Sequence, residues 1–556
     1  MKTMDFSDFL PPKAKRIVHF GCKDGATPSH FRRIRPEVSY TGVAEDLPEE
    51  EIPGVDSLLS GMPEEAGESL LSGADCIIYE GTALSGLAPE LLERHAACLP
   101  PGGQMVMVLG NPAYLGHFLA ALSGKGLPDD LDVTLSELQE MLAKAGLEAC
   151  QVRRLFSRED ESLWAEPAVQ ELLQAAMAWQ REKGEENADP RAVGYLVRAA
   201  RKADIRPLVV HCVLGEGIVT ARVRLREPHA FCMTEPGVRY GESGSREPLN
   251  LSRFAAFGRK ILIRQRTNYK LPDLARQQIR LLMKNGFLVL FELDDDPARW
   301  QAGYEQADWL DLRGSHACQV STPTLAELVR EYNPHVKVFR NELRELPPPR
   351  DYREDGPVTV FFGALNRQED WKDIMPAINE AARKYGAGLR FRVLADKEFF
   401  EALETEHKEF LGDEGYCNGD FAPYPVYCSV LHSADISLLP LRDTSFNRMK
   451  SDLKFIESAG HGAAVLASPT VYEATLRDGE TGLFYRSPGE FAERLRLLVE
   501  DRPRRLELAE AAYRYVARER LLSQHYEDRL AWYEELFARR EELDRELLAR
   551  LEQNHN

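Results

Sequence analysis

Short apolar runs, separated by glycine turns and segments of helical period, recur along most of the chain. KRIVHF reads as a strand, GCKDG as a glycine turn and the stretch through HFRRIR as a helix. SYTGVAE, DCIIYEG (Asp75–Gly81) and GGQMVMVLG continue as strands, with LAPELLERHAACL helical between the last two. TLSELQEMLAKAGLEACQVRRLF adds a helix ending at Gly146 and a further strand. This alternation predicts a parallel, doubly wound sheet. The charged stretch QREKGEENADPRAVGYLVRAARKADIRP, which holds Pro190 and Pro207, reads as a helical connection with a domain boundary near Ala203.

The alternation then restarts. PLVVHCVL, KILIRQR, LVLFELDDD, ACQVST and VKVFRN read as strands, and ELPPPRDYREDGP as a polar, proline-rich hinge. VTVFFGAL, LRFRVLAD, YCNGDFAPYP, ISLLPL, AAVLAS and GLFYRS form a third series. The expected fold class is α/β with three Rossmann-like units, the last two facing each other across a cleft. The expected domains are residues 1–203, 204–345, 346–515 and a charged, amphipathic closing helix over 516–556.

Composition narrows the partners. The chain has 556 residues, 44% of them hydrophobic and 29% charged, as in a folded multidomain protein. A net charge of −19 excludes a nucleic-acid backbone as the main partner, while local lysines and helix ends still permit a small anionic ligand. No run is long and apolar enough to span a bilayer, and MKTMDFSDFLPPKAKR has no apolar signal core. Nine cysteines occur singly with no Cys-x-x-Cys pair, which suggests neither a disulfide framework nor a zinc site, and a cytoplasmic setting is expected. The acidic surface and charged tail permit a homo-oligomer.

Candidate chemistry concentrates in SFNRMKSDLKFIESAGHGAAVLAS (445–468). If a helix begins by Asn447, then Asn447, Lys450, Lys454 and Glu457 share one face beside an apolar face of Leu453, Ile456 and Gly460. A helix start with two ammonium groups and unpaired N–H groups suits a diphosphate. A start at Ser451 puts Lys450 in the loop and leaves the same site. The bland alternative is a solvated face with a Lys–Glu pair. Asp294, Asp295 and Asp296 end a strand, where ligands bind in open α/β sheets. They suit Mg²⁺, acceptor hydroxyls or a helix N-cap before Pro297. Gln265 and Arg266 close KILIRQR and are candidates to face the cleft; His316 is a lone, structural histidine.

The segment ISLLPLRDTSFNRMKSDLKFIESAGHGAAVLAS resembles the donor-binding segment of GT-B glycosyltransferases of the retaining, glycogen-synthase-like group. The resemblance implies that Glu457 holds the ribose hydroxyls of a nucleotide-sugar, with Gly363, Asn447, Ser451 and Lys454 around the donor. A second glutamate of that family is replaced by Met449, with Asn447 and Lys450 as its stand-ins. TVFFGALNRQEDWKDIMPAI resembles the family's phosphate-binding segment, which makes Arg367 and Lys372, with Lys450, the expected catalytic cations. By the same resemblance Gly215 and Gly217 occupy a glycine loop near the acceptor, and Asn341 the crossover between lobes.

Residues 14–157 resemble a class I S-adenosylmethionine-dependent methyltransferase. Its glycine turn appears as Gly21-Cys22-Lys23-Asp24-Gly25, with Lys23 at the middle glycine, and Glu45 lies beside the ribose position occupied by Ala44. Gly21, Gly25, Glu45 and Asp75 are the candidate residues for that cofactor, in a domain either degenerate or active.

These resemblances imply transfer of a sugar from a nucleoside diphosphate sugar to a glycan, lipid-linked or protein hydroxyl, with retention and without a metal. The alternatives are a bifunctional glycosyltransferase and methyltransferase of bacterial surface glycan biosynthesis, and a non-enzymatic interaction protein. The expected setting is cytoplasmic, including the periphery of an inner membrane.

Overall fold

The three series of strands become three separate sheets in the computed structural model, which describes residues 4–84, 87–123, 133–157, 160–182, 189–215, 220–352, 356–364, 367–412 and 422–553. The chain divides into two compact units. One is Met1–Leu208 with Ala230–Arg239, and the other Val209–His229 with Tyr240–Asn556.

The first unit carries β1 (Arg16–Phe20), β2 (Ser39–Ala44), β3 (Ser57–Ser60), β4 (Cys76–Glu80), β5 (Gln104–Gly110), β6 (Leu147–Leu155) and β7 (Gly194–Arg201). Their order is β3-β2-β1-β4-β5-β7-β6, parallel from β3 through β5, with β7 antiparallel to both its neighbours. β7 corrects the expectation of a purely helical connection there. GYLVRAAR is buried along nearly its whole length, although it contains two arginines. Arg198 is 2% exposed because its guanidinium donates to the carbonyls of Phe9 and Met233 and to Gln151 Oε1, and stacks on the Phe9 ring. Those donors are satisfied only by distant residues, so the sequence alone reads the segment as polar. Val18, Phe20, Ile77, Tyr79, Met105 and Leu138 lie at the centre of this unit's core.

The second unit holds two sheets. The amino-terminal lobe has β8 (Leu208–Leu214), β9 (Val238–Gly244), β10 (Lys260–Gln265), β11 (Phe287–Leu293), β12 (Ala317–Val320) and β13 (Val336–Val338), in the order β13-β12-β11-β10-β8-β9. The carboxyl-terminal lobe has β14 (Val358–Gly363), β15 (Leu389–Leu394), β16 (Lys408–Leu411), β17 (Ile436–Leu439), β18 (Ala464–Ala467) and β19 (Leu483–Phe484), in the order β16-β15-β14-β17-β18-β19 with every pairing parallel. The strand expected at YCNGDFAPYP is corrected in part. The local strand is KEFL at β16, and a helix occupies Tyr424–His432, with Pro425 in a first turn that needs no proline N–H. Residues 416–421 of that expectation lie outside the described residues.

The single closing helix is also corrected. Helices run over Arg502–Glu519, Tyr526–Ala538 and Arg540–Glu552. Leu547 and Leu551 pack with Ala275, Ile279 and Leu310, so the tail returns to the amino-terminal lobe. His316 is buried there and pairs with Asp544 at 2.8 Å, a structural position as expected.

Candidate active site

The site is built where the carboxyl ends of β10, β11, β14 and β17 approach the segment 444–460. Thr444 Oγ1 accepts from the Asn447 N–H and caps a one-turn helix, Ser445–Arg448. A second helix then runs from Leu453 to Gly460. The continuous helix expected from Asn447 is therefore broken, and Lys450 lies in the break. Tertiary partners hold the break. Thr322 Oγ1 donates to the Met449 carbonyl, Asn341 Nδ2 donates to Ser451 Oγ at 2.8 Å, and Arg520 forks onto both oxygens of Asp452. With its carboxylate turned to Arg520, Asp452 does not cap the second helix, whose first turn keeps N–H groups for an anion.

Arg367 Nη1 donates to Asp370 Oδ2 at 3.1 Å and to Asn447 Oδ1 at 3.2 Å. Asn447 Nδ2 donates in turn to Asp370 Oδ1 and the Arg442 carbonyl. The buried Asn447 amide is thus committed to orienting Arg367. Lys372, expected beside Arg367, is exposed, and among the described residues no hydrogen bond or ion pair joins it to this cluster. The reason is local: the chain turns into a helix at Gln368–Trp371, which carries Lys372 outward. Gly363 ends β14 where a Cβ would lie 2.3 Å from the Phe361 ring.

Glu457 is 3% exposed. Arg222, on the other lobe, reaches within 3.8 Å of it, pairs with Glu227 and stacks on Tyr424. Lys454 Nζ sits 4.1 Å over the Tyr427 ring; burial lowers its pKa, against the opposing pull of Glu457. Burial, then the Glu457 carboxylate, push the Tyr427 phenol up. Lys450 Nζ lies 3.3 Å from Asp295 Oδ1, and burial lowers its pKa while Asp295 raises it.

The three aspartates divide their work. Asp294 accepts from Arg266 Nε at 2.6 Å, Asp295 meets Lys450, and Asp296 caps the turn at Pro297–Trp300 by accepting from the Ala298 N–H. Arg266 has a left-handed backbone, φ 47°. Gln265 is fully buried, and its amide atoms have no hydrogen-bond partner among the described residues. Beside it in register Glu292 accepts from Arg224 Nε at 2.7 Å, and Arg224 donates also to Asn341 Oδ1. Gln265 and Asn341 thus belong to the buried layer behind the cleft. The Gly215 N–H donates to the Gln265 carbonyl, while Gly217 lies outside the described residues. Arg222, Arg224, Tyr424 and Tyr427 were missed by sequence reasoning. The run RVRLR after the glycine loop was the available signal for the first two.

In the first unit, a cavity of about 450 Å³ opens at the ends of β1, β2 and β4, lined by Gly21, Lys23, Glu45, Asp46, Met62 and Thr82 among others. Gly21 has φ 81°, and a Cβ there would lie 2.0 Å from the Glu80 carbonyl oxygen. Asp75 is corrected. It accepts from the Lys15 and Arg16 N–H groups at the amino ends of β1 and β4, the opposite end of these strands from the cavity. Gly25 lies outside the cavity lining and packs against Pro53. Below the cavity His19 bridges Tyr40 and Glu80. Burial opposes its charge, but hydrogen bonds to Cys22 and Glu80 outweigh it and raise its pKa to about 9.

Among the described residues no cluster of His, Cys, Asp and Glu could hold a metal ion, and no helix is long and apolar enough to cross a membrane. Residues 375–535 match a family described as glycosyl transferase-like. No curated protein matches the chain. Among solved structures, sucrose-phosphate synthase from Thermosynechococcus elongatus is 13% identical, with a TM-score of 0.42 over 60% of this chain and 100% of that one. HepE from Anabaena, in complex with UDP and glucose, is 12% identical, with a TM-score of 0.41 over 58% of this chain and 98% of that one. S. aureus TarM, in complex with fondaparinux, α-GlcNAc-glycerol and UDP, is 9% identical, with a TM-score of 0.36 over 49% of this chain, which spans 55% of its length.

Proposed function

We propose that the chain is a glycosyltransferase that moves a sugar from a nucleoside diphosphate carrier to a hydroxyl acceptor. The observation that carries this reading is that Arg367 lies near both Lys450 and Lys454, the latter in the first turn of the Leu453–Gly460 helix that Asp452 leaves uncapped, with the buried Glu457 one turn further on. The match of residues 375–535 to a glycosyl transferase-like family supports it.

In this mechanism the ribose hydroxyls donate to Glu457, whose two oxygens suit a vicinal pair. The diphosphate lies against the helix start, where Lys450 and Lys454 answer its charge. Arg367, held by Asp370 and Asn447, stabilises the charge that grows on the leaving group as the glycosidic bond breaks. Lys372 has no part in it. Contacts between the lobes at Asp295–Lys450 and Asn341–Ser451 close the cleft over the donor and limit its hydrolysis. The proposed stereochemical outcome is retention.

The test is titration of the full chain with a panel of nucleoside diphosphates, UDP first, and turnover of the matching sugars. Loss of binding and turnover in Glu457→Ala and Arg367→Ala supports the assignment; wild-type behaviour of both variants removes it.

The first-unit cavity favours a second reading, that this unit also binds S-adenosylmethionine. Support comes from the left-handed Gly21 beneath the cavity and from Glu45 and Asp46 at its rim. Lys23 stands at the cavity where that resemblance has glycine. Calorimetric titration of the full chain with S-adenosylmethionine decides it: micromolar binding abolished by Gly21→Val favours two activities, and no heat favours a scaffold.

A further inference from the structure

A cavity of the amino-terminal lobe lies at the carboxyl ends of β8 and β10 and has a volume of about 870 Å³. One wall is the helix Pro272–Lys284. That helix buries Ala275, Ile279 and Leu282 on its inner side, yet leaves Leu274 48% and Leu281 52% exposed. The two are seven residues apart, two helical turns on one face, and Leu271, 61% exposed, extends the stripe at the helix entry. All three line the cavity, so its apolar wall faces solvent without serving the core.

Charge on the other wall is mainly positive. Arg246, Arg264, Arg266 and Lys270 line the cavity against one carboxylate, Glu247. A chain of net charge −19 has here collected four cations in one place. Arg264 is 9% exposed, stacks on Tyr269 and pairs through Nη2 with Asp311, while its Nη1 has no hydrogen-bond partner among the described residues. Arg266 links the cavity to the proposed transfer point: it binds Asp294, whose neighbour Asp295 meets Lys450.

We propose that this cavity binds the acceptor and that the acceptor is a lipid phosphate, its hydrocarbon laid on the leucine stripe and its phosphate among the arginines and Lys270. The acceptor role rests on the glycosyltransferase reading. The lipid-phosphate site rests on the cavity alone. In the transfer, the oxygen of a hydroxyl on the lipid's phosphate-linked headgroup bonds to the anomeric carbon, and the bond from that carbon to the donor's diphosphate oxygen breaks. The hydroxyl proton leaves with the nucleoside diphosphate.

The test uses the full chain and octyl phosphate below its micellar concentration, compared with 1-octanol and inorganic phosphate in calorimetric titration. The proposal predicts octyl phosphate at least tenfold tighter than either. It predicts at least a tenfold loss in the double variant Leu274→Asp/Leu281→Asp, whose side chains are about half exposed, and a loss in Lys270→Glu for octyl phosphate but not for octanol. Far-ultraviolet circular dichroism and an unchanged thermal midpoint check that the variants fold. Equal affinity for the three probes overturns the proposal, as does binding indifferent to the leucine pair. Flotation with phosphatidylglycerol vesicles and no affinity for monomeric octyl phosphate also overturns it, in favour of a membrane-docking surface. If octyl phosphate binds as expected but no nucleoside diphosphate does, the donor reading fails and the lipid-phosphate site stands.

Discussion

Arg222 of the amino-terminal lobe lies 3.8 Å from the buried carboxylate of Glu457 in the carboxyl-terminal lobe. A carboxylate that is 3% exposed needs a partner, and without a donor that partner is a guanidinium from across the cleft. Donor ribose hydroxyls would take over part of this role. Arg222→Ala removes one of the two cations near Glu457, leaving Lys454, and lowers the stability of the ligand-free protein by about 1–3 kcal/mol. Uridine diphosphate should raise the thermal midpoint more in the variant than in the wild type. Equal ligand-induced shifts would show that the two residues are not coupled to the donor.

Arg520 and Asp452 form a two-pronged buried pair at the break before the Leu453–Gly460 helix. Asp452→Ala strands the Arg520 charge, which is 3% exposed, and the expected loss is about 3–5 kcal/mol of stability in chemical unfolding. Asp452→Asn keeps a hydrogen-bonding side chain and should lose less.

Lys450 and Asp295 join the lobes at 3.3 Å beside the proposed transfer point. A double-mutant cycle of Lys450→Ala and Asp295→Asn should give a coupling energy of about 0.5–3 kcal/mol in stability. Turnover should fall in each single variant. A coupling of zero would mean that the ion pair does not hold the cleft.

The raised pKa of His19 gives the first unit a pH dependence whose sign follows from the shift. Its folded pKa of about 9 lies above the unfolded value of 6.5, so its contribution is fully present below about pH 6.5 and is lost as pH rises through 9. The shift corresponds to about 3 kcal/mol. Nuclear magnetic resonance titration of the His19 ring should show a midpoint well above 7. His19→Gln should flatten the alkaline fall in stability.

Most strands were legible because apolar runs bounded by glycine turns mark buried parallel strands directly. β7 was not, because Arg198 makes its segment look polar until Phe9, Gln151 and Met233 come round it. The place of Glu457 and Lys450 in one segment was legible from spacing and resemblance. The break between them was not, since Asn341, Thr322 and Arg520, all distant in sequence, create it. Lys372 illustrates the opposite error: correct spacing in a motif does not say which way a one-turn helix carries a side chain. Arg222 belongs to a helix of one lobe and acts on the other, a relation that no local pattern encodes.

The most direct test is calorimetric titration of wild type and Glu457→Ala with uridine diphosphate and the other nucleoside diphosphates. The account predicts saturable binding of at least one of them by the wild type. It predicts at least a tenfold weaker constant in the variant, about the worth of a hydrogen-bonded charge in a buried site. Binding of equal strength in both proteins, or none of any nucleoside diphosphate to the wild type, would contradict it.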